Sequence, residues 1–135
     1  MADTIPQIGS KGDRLDILIR QGGTFGPKYC TILKSDGSPE DITGCTFIAE
    51  IRKTADATAV AASAVFAITN AAGGEFNFTF EASATKDIAA DPVGETEPDS
   101  QYVWDLEMHY PGGRVRPLLY GDVAVFREVS KGTPV

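Results

Sequence analysis

Polar and apolar residues alternate along most of this chain, as they do in β-strands with one buried and one solvent-facing side. The clearest case is the segment 102–110, which contains the only tryptophan and the only histidine of the chain. One set of alternate positions is apolar: Tyr102, Trp104, Leu106, Met108 and Tyr110. The other set carries Asp105, Glu107 and His109, with Val103 as the apolar exception. The alternation predicts a strand that buries one face and exposes the other.

The residues after this strand predict its partner in a β-hairpin. The sequence Pro-Gly-Gly at 111–113 is typical of a turn, because both residue types favour the backbone angles of tight turns. A second apolar run follows at 115–125 and is expected to fold back antiparallel onto the first strand. Pro117 and Gly121 interrupt this run. We therefore expect the second arm, which ends near residue 128, to be bent.

Five further segments have the composition of strands, and turn signals separate them. They are residues 14–20, 28–34, 45–53, 64–68 and 75–80. In the last of these, Phe76, Phe78 and Phe80 share one face and are expected to be buried. Glycines and a proline at 21–27, and Asp-Gly within 35–39, are predicted to break the chain between strands.

The remaining segments are predicted to lie outside the strands. The alanine-rich stretch 54–63 is interpreted as a loop, because it lacks a clear helical period. Residues 83–90 are predicted to form one or two helical turns with Ser83 as the N-cap. The acidic, proline-containing stretch 91–100 is expected to be an exposed loop.

About seven short strands joined by turns indicate an all-β protein, and 135 residues suit one domain. We predict an antiparallel β-sandwich at 14–128 with one short helix. An extended N-terminal arm (1–13) and a C-terminal tail (129–135) flank it, since neither has a periodic pattern.

The formal net charge of −7 argues against general affinity for nucleic acid or for anionic membranes, because both depend on lysine and arginine. No apolar run approaches the roughly 20 residues that cross a bilayer. The N-terminal residues lack the basic start and apolar core of a signal peptide, so we expect synthesis in the cytoplasm.

Cys30 and Cys45 lack the spacing of a zinc site. We expect two reduced, partly buried thiols. They fall on strands that the pattern places side by side, so a cross-strand disulfide is the alternative.

The lone histidine, His109, could act as a general base. Glu107 lies two residues from His109 on the same face and could orient it as a general base. Asp105 and Glu107 lie about 7 Å apart in a strand, which suits an inverting glycosidase. Such residues are more commonly the solvated face of a strand, so we predict no enzyme.

Other candidate sites are equally unspecific, and no cofactor or metal is predicted. Acidic residues of the 91–100 loop could bind calcium but lack a recognised spacing: Asp91, Glu95, Glu97 and Asp99. The Gly-Gly pairs at 22–23 and 73–74 lack the context of a phosphate loop. The phenylalanine stripe could stack bases, but burial is the simpler expectation in an acidic protein.

Two segments carry motifs rather than a simple pattern. The first, 41–52, begins Asp-Ile-Thr-Gly and ends in Ile-Arg. The second, 102–107, is Tyr-Val-Trp-Asp-Leu-Glu, and Leu-Tyr-Gly-Asp-Val follows at 119–123. Together with Gly-Gly-Thr-Phe at 22–25 and Gly-Gly at 112–113, they resemble a family of immunoglobulin-like domains of tailed bacteriophages. That family is best known as the N-terminal domain of baseplate upper proteins, and the resemblance covers most of residues 14–129.

The resemblance implies an immunoglobulin-like sandwich in a virion, and it supplies no catalytic residue. Since a baseplate upper protein continues beyond this domain, we expect a small virion protein: an adaptor in the tail, baseplate or neck, or a head decoration. Its expected partners are other virion proteins, with several copies in a symmetric assembly and no nucleic acid or membrane. The expected contact residues are Ile5, Pro6 and Ile8 in the arm, and Asp105, Glu107 and His109 on the strand.

Two alternatives remain open at this point. One is a carbohydrate- or receptor-binding sandwich, whose stacking residues would come from the tyrosines and the tryptophan: Tyr29, Tyr102, Tyr110, Tyr120 or Trp104. The other is an enzyme centred on His109.

Overall fold

The computed structural model describes residues 3–4, 12–90, 100–130, 132 and 134, with the backbone alone at 3–4 and 100. These residues form ten strands and one short helix. The elements are β1 (Asp3–Thr4), β2 (Asp13–Arg14), β3 (Ile17–Arg20), β4 (Phe25–Thr31), β5 (Thr46–Arg52), β6 (Ala62–Ser63), β7 (Val65–Asn70), β8 (Glu75–Phe80), α1 (Ala82–Thr85), β9 (Ser100–His109) and β10 (Val115–Phe126).

The strands form two sheets that pack as a sandwich, as the sequence predicts. The four-stranded sheet has the order β1-β4-β8-β7. The six-stranded sheet has the order β2-β10-β9-β5-β6, with β3 also paired to β10. The expectation of an all-β sandwich with one short helix is therefore confirmed.

The predicted hairpin is the centre of the six-stranded sheet. Strands β9 and β10 pair antiparallel from His109 with Val115 to Ser100 with Val125. The register shifts between Pro117 and Leu119, at the bulge expected from the proline. Because of this shift, the consecutive residues Leu118 and Leu119 are both buried. The bulge thus places two leucines in the core where a regular strand would bury only one.

Aromatic side chains from both sheets fill the core. Phe76, Phe78 and Phe80 on β8 are fully buried, which confirms the prediction for this strand. The ring of Phe76 stacks on Phe47 of β5, with 4.3 Å between centroids. The ring of Phe78 lies 5.6 Å from that of Trp104 on β9. Burying each such ring favours folding by about 2–3 kcal/mol, so the contact between sheets is strong and rigid.

Not every pairing is antiparallel, unlike the prediction. Strands β2 and β3 pair parallel to β10, and β1 pairs parallel to β4. The N-terminal segment therefore contributes strands to both sheets. Alternation of side chains shows which residues face inward but carries no information about strand direction. The count exceeds seven because the two-residue strands β1, β2 and β6 are too short to show a pattern.

Strand β4 begins earlier than predicted. It starts at Phe25 and runs through Gly26 and Pro27, which the sequence suggested would break the chain. Gly26 has a φ of +113° and lies so close to β8 that a Cβ atom would be 2.7 Å from the carbonyl oxygen of Phe78. The register shifts between Phe25 and Lys28, so the glycine and proline occupy an irregular part of the strand instead of ending it.

Two local expectations are wrong. Helix α1 follows Glu81 and contains Ser83 inside it, so Ser83 is not the N-cap. The buried side chain of this turn is Thr85, whose hydroxyl donates to the carbonyl of Gly23 at 2.7 Å. Cys30 lies on β4 and Cys45 just before β5, in different sheets, so the predicted side-by-side placement is also wrong. Both thiols are free and buried.

Candidate functional site

Asp105, Glu107 and His109 lie on the outer face of the six-stranded sheet, which we define as its side directed away from the four-stranded sheet. They alternate on β9 with the buried residues Trp104, Leu106 and Met108. Strand β9 lies between β5 and β10, so these three residues occupy the middle of a broad sheet. The strip predicted from the alternation thus sits at the centre of a surface on a rigid support.

Neighbouring strands complete a shallow groove around Asp105. Its partners across the sheet are Glu50 on β5 and Tyr120 on β10. Glu107 pairs likewise with Ile48 on β5. The groove holds about 450 Å³. We call it the outer groove; its exposed lining includes Ile48, at 42% exposure, and Tyr120, at 48%.

Ion pairs border the outer groove on two sides. On the β5 side, Arg52 contacts Glu50 at 2.8 Å. On the β2 side, Arg14 contacts Asp16 at 3.0 Å and Asp122 at 2.9 Å. The pair on the β5 side balances in charge, whereas Arg14 meets two carboxylates. Negative charge therefore remains on the β2 side and in the middle, where Asp105 accepts no hydrogen bond from the described residues.

The carboxyl group of Asp105 is electrostatically unfavourable when ionised. Its partial removal from water raises its pKa above the usual range, and the charges of Glu107 and Glu50 raise it further. Arg52 acts in the opposite direction and lowers the pKa. A partner group that donates a hydrogen bond or positive charge to this carboxylate would relieve the cost.

The His109 imidazole contacts the Glu107 carboxylate within the same strand. The distance from Nε2 to Oε1 is 2.9 Å, and each side chain is 31% exposed. Across the sheet His109 pairs with Thr46 and Val115, and no hydrogen bond in the described part of the chain joins Thr46 to the imidazole. The pair orients the imidazole as a general base would require, but no described group stands ready as its nucleophile.

The predicted contact residues of the arm cannot be placed beside this site. Ile5, Pro6 and Ile8 lie outside the described residues, and so do the acidic residues of the 91–99 segment. The nearby backbone of Asp3–Thr4 pairs with β4 in the four-stranded sheet, whereas β9 lies in the other sheet. In the described ranges, no cluster of three or more histidine, cysteine or acidic side chains could hold a metal ion.

The aromatic residues considered for ligand stacking differ clearly in how exposed their rings are. Trp104 and Tyr102 are buried, and the Trp104 indole donates to the backbone carbonyl of Leu15 at 2.7 Å. Tyr110 donates its hydroxyl to Glu40, at 2.5 Å. Tyr29 is half-buried on β4 in the other sheet, and Tyr120 is the one of the five whose ring is exposed in the outer groove. Stacking on a ligand is therefore confined to Tyr120 at this site.

Four residues line the groove although the sequence pattern does not mark them as site residues: Ile48, Arg14, Arg52 and Asp122. Ile48 could have been found, because in the strand predicted at 45–53 it alternates with the apolar set Phe47, Ala49 and Ile51 and therefore faces outward. Tyr120 faces outward because of the bulge at Leu118. Without the bulge, alternation that starts from the exposed Val115 would direct residue 120 inward.

In the parts of the chain that the structure describes, no helix is long and apolar enough to cross a membrane. Comparison with models of known protein families finds no match for this chain, and a search of curated protein sequences finds none either.

Proposed function

We propose that this chain is a non-enzymatic structural protein of a bacteriophage virion. It acts as an adaptor in the tail, baseplate or neck, and it docks other virion proteins through its sandwich and its terminal arms. The observation that carries the proposal is the outer groove, where exposed apolar side chains lie among charged ones on a rigid sheet. The sequence resemblance to phage immunoglobulin-like domains supplies the context.

The mechanism is rigid presentation of a docking surface. The aromatic core fixes the two sheets, so the outer face keeps its shape without a partner. A partner side chain that covers Ile48 and Tyr120 would bury apolar area. A cationic group placed over Asp105 would offset the cost of its ionisation. Binding of this kind needs no reaction and no cofactor.

The direct test is the protein content of purified particles of the phage that encodes the chain. We expect the chain in the particles, and we expect Ile48→Lys to reduce its incorporation while the melting temperature stays close to that of the unmodified protein. Ala72→Lys, in the exposed turn after β7, is the matched control and should be incorporated normally. A chain that is abundant in infected cells but absent from particles would overturn the proposal.

A second variant tests the arm separately. Deletion of residues 1–12 removes β1, which pairs only two residues with β4, so the sandwich should keep most of its stability. We expect the truncated chain to fail to enter particles. Normal incorporation of the truncated chain would remove the arm from the docking mechanism.

Binding of a carbohydrate or a receptor is the second candidate, because Tyr120 is exposed in the groove beside Asp105 and Asp122. Aromatic rings that stack on sugars, flanked by carboxylates that accept their hydroxyl groups, are the arrangement such a site uses. The test is titration of glycans followed by tyrosine-sensitive NMR shifts, with Tyr120→Ala as the variant. Binding that survives this substitution would exclude the groove as the glycan site.

A further inference from the structure

The described strands form two sheets with four edges, and three of these edges are short, broken or charged. The β4 edge carries β1. Strand β6, at one edge of the six-stranded sheet, is only two residues long. The opposite edge is divided into β2 and β3 and carries charged side chains: Asp13, Arg14 and Arg20. Short, broken or charged edges are the devices by which proteins avoid pairing between sheets.

Strand β7 is the exception. It is six residues long, with the sequence Val-Phe-Ala-Ile-Thr-Asn, and it contains no charged residue and no proline. Its only partner among the described residues is β8, and no described strand borders its other side. The register shift lies between Ile68 and Asn70, next to the turn, and leaves Val65 to Ile68 regularly paired.

Phe66 of β7 packs against Phe47 in the core, but other side chains of this strand are exposed. Val65 is 47% exposed and Ile68 is 43% exposed, and Ala67 is exposed between them. In an antiparallel pair, alternate residues direct their N–H and C=O groups away from the partner. The outer side of β7 therefore offers both main-chain hydrogen bonds and apolar contact.

We infer that β7 is a self-association edge, which pairs antiparallel with β7 of a second copy of this chain about a twofold axis. Such pairing would join two four-stranded sheets into one continuous eight-stranded sheet. Antiparallel pairing of a strand with itself is isologous, so each copy contributes the same residues. A six-residue pairing would extend over about 20 Å.

Charge favours a second copy on this edge. The chain carries a formal net charge of −7, so two copies repel each other over most of their surfaces. Contact is least unfavourable where neither copy presents charge, and β7 is such a place. The outer groove is a poorer surface for self-association, because its unpaired negative charge would face the same charge on the other copy.

This inference does not rest on the proposed virion function, since an edge pairs in the same way in any setting. Sedimentation velocity of the full chain over a concentration series measures it. We expect a reversible monomer–dimer equilibrium. Hydrogen exchange measured at low and high concentration should show slower exchange of the amides between Val65 and Asn70 in the dimer.

Charged variants assign the dimer to this edge. Val65→Lys with Ala67→Lys places two positive charges on β7 of each copy, and a register centred on the regularly paired residues 65–68 brings the charges of the two copies close together. We expect the dissociation constant to rise about tenfold or more. Val129→Lys, at a residue that is 87% exposed elsewhere on the chain, is the control and should dimerise normally.

A charge-swap experiment guards against misfolded variants. Val65→Glu with Ala67→Glu should also be monomeric, and a one-to-one mixture with the double-lysine variant should form a heterodimer. Recovery in the mixture shows that both variants fold. A chain that stays monomeric at all concentrations, or a dimer that the lysine substitutions leave intact, would overturn the inference. Neither result bears on incorporation into particles.

Discussion

The indole nitrogen of Trp104 donates a hydrogen bond to the backbone carbonyl of Leu15, 2.7 Å away, although the two residues lie 89 positions apart in the chain. The contact fastens the N-terminal strands to the centre of the six-stranded sheet. It depends on Gly121, which pairs with Trp104 across the sheet. A Cβ atom at Gly121 would collide with the carbonyl of Leu15.

Replacement of Gly121 by alanine should therefore be strongly destabilising. The added methyl group must displace Leu15 and weaken its bond with Trp104, and we expect a loss of about 2–3 kcal/mol in the free energy of unfolding. Urea denaturation followed by Trp104 fluorescence measures it. Gly132→Ala is the control, because nothing lies within 4 Å of a Cβ atom there. Equal midpoints for the two variants would contradict the close approach.

The ion pair between Arg116 and Glu40 should matter more than pairs on the rim of the outer groove. Its side chains are 14% and 18% exposed, and the Nη1–Oε2 distance is 3.4 Å. Arg116 also donates to the carbonyl of Leu33 at 3.1 Å. Arg116→Met would leave the Glu40 carboxylate in a poorly hydrated place, so we expect a loss of about 2–3 kcal/mol in unfolding free energy.

The matched control for this prediction is Arg14→Met. Arg14 also contacts two carboxylates, those of Asp16 and Asp122, but all three side chains are more than half exposed. Water and salt screen such pairs, so the denaturation midpoint should remain almost unchanged. If the two methionine variants lost the same stability, burial would not be what makes the Arg116 pair important.

Asp105 should make the fold less stable as the pH rises. Its pKa is raised in the folded state by partial burial and by the charges of Glu107 and Glu50, so the folded protein holds its proton to higher pH than the unfolded chain does. Stability therefore falls as pH rises through the range between the two pKa values. Asp105→Asn should remove this loss and gain roughly 0.5 kcal/mol or less at neutral pH. Urea denaturation between about pH 3 and pH 8 measures the slope.

Asp41 should give the opposite dependence of stability on pH. Its carboxylate accepts the hydroxyl of Thr43 at 2.6 Å and the N–H of Thr43 at 2.9 Å. These bonds lower the pKa of Asp41, so its contribution to stability is present above the unfolded pKa and is lost as the pH falls. Asp41→Asn should therefore weaken the protein at neutral pH but not in acid. Parallel pH profiles for the two asparagine variants would refute the assignment.

The two thiols should be inert in the folded protein. Burial raises the pKa of Cys30 to about 12, which leaves on the order of one thiol in ten thousand ionised at pH 8. Burial, and then the charges of Glu40 and Asp41, also raise the pKa of Cys45. A disulfide-exchange reagent should label neither cysteine in native protein and both in urea. Rapid labelling of the native protein, or failure to label both after unfolding, would contradict this.

The central hairpin was predictable because its alternation is long and its turn is marked by Pro-Gly-Gly. The buried face of β9 and the phenylalanines of β8 follow from the same argument, since a two-residue period assigns each side chain to a face. The bulge expected from Pro117 is present, but Gly121 has another role, the close approach of the Leu15 backbone.

Strand order and direction were not predictable from local pattern. The parallel pairing of β3 with β10 joins residues about a hundred positions apart. Neither segment has a local pattern that identifies the other as its pairing partner. The outer groove was missed for the same reason. Asp105, Glu107 and His109 share one strand and were recognised, whereas Glu50, Tyr120 and Arg14 come to them through pairing between strands.

The parallel contact of β3 with β10 has a consequence for synthesis of the chain. Ile17 and Ile19 are buried where β3 pairs with β10, and Val123 is opposite Ile17. Strand β3 is therefore synthesised about a hundred residues before the strand beside which its apolar side chains pack. Completion of the six-stranded sheet needs this long-range closure, and closure of that kind makes folding slow. Until β10 has been made, Ile17 and Ile19 lack the strand beside which they are buried, and exposed apolar side chains of this kind favour aggregation.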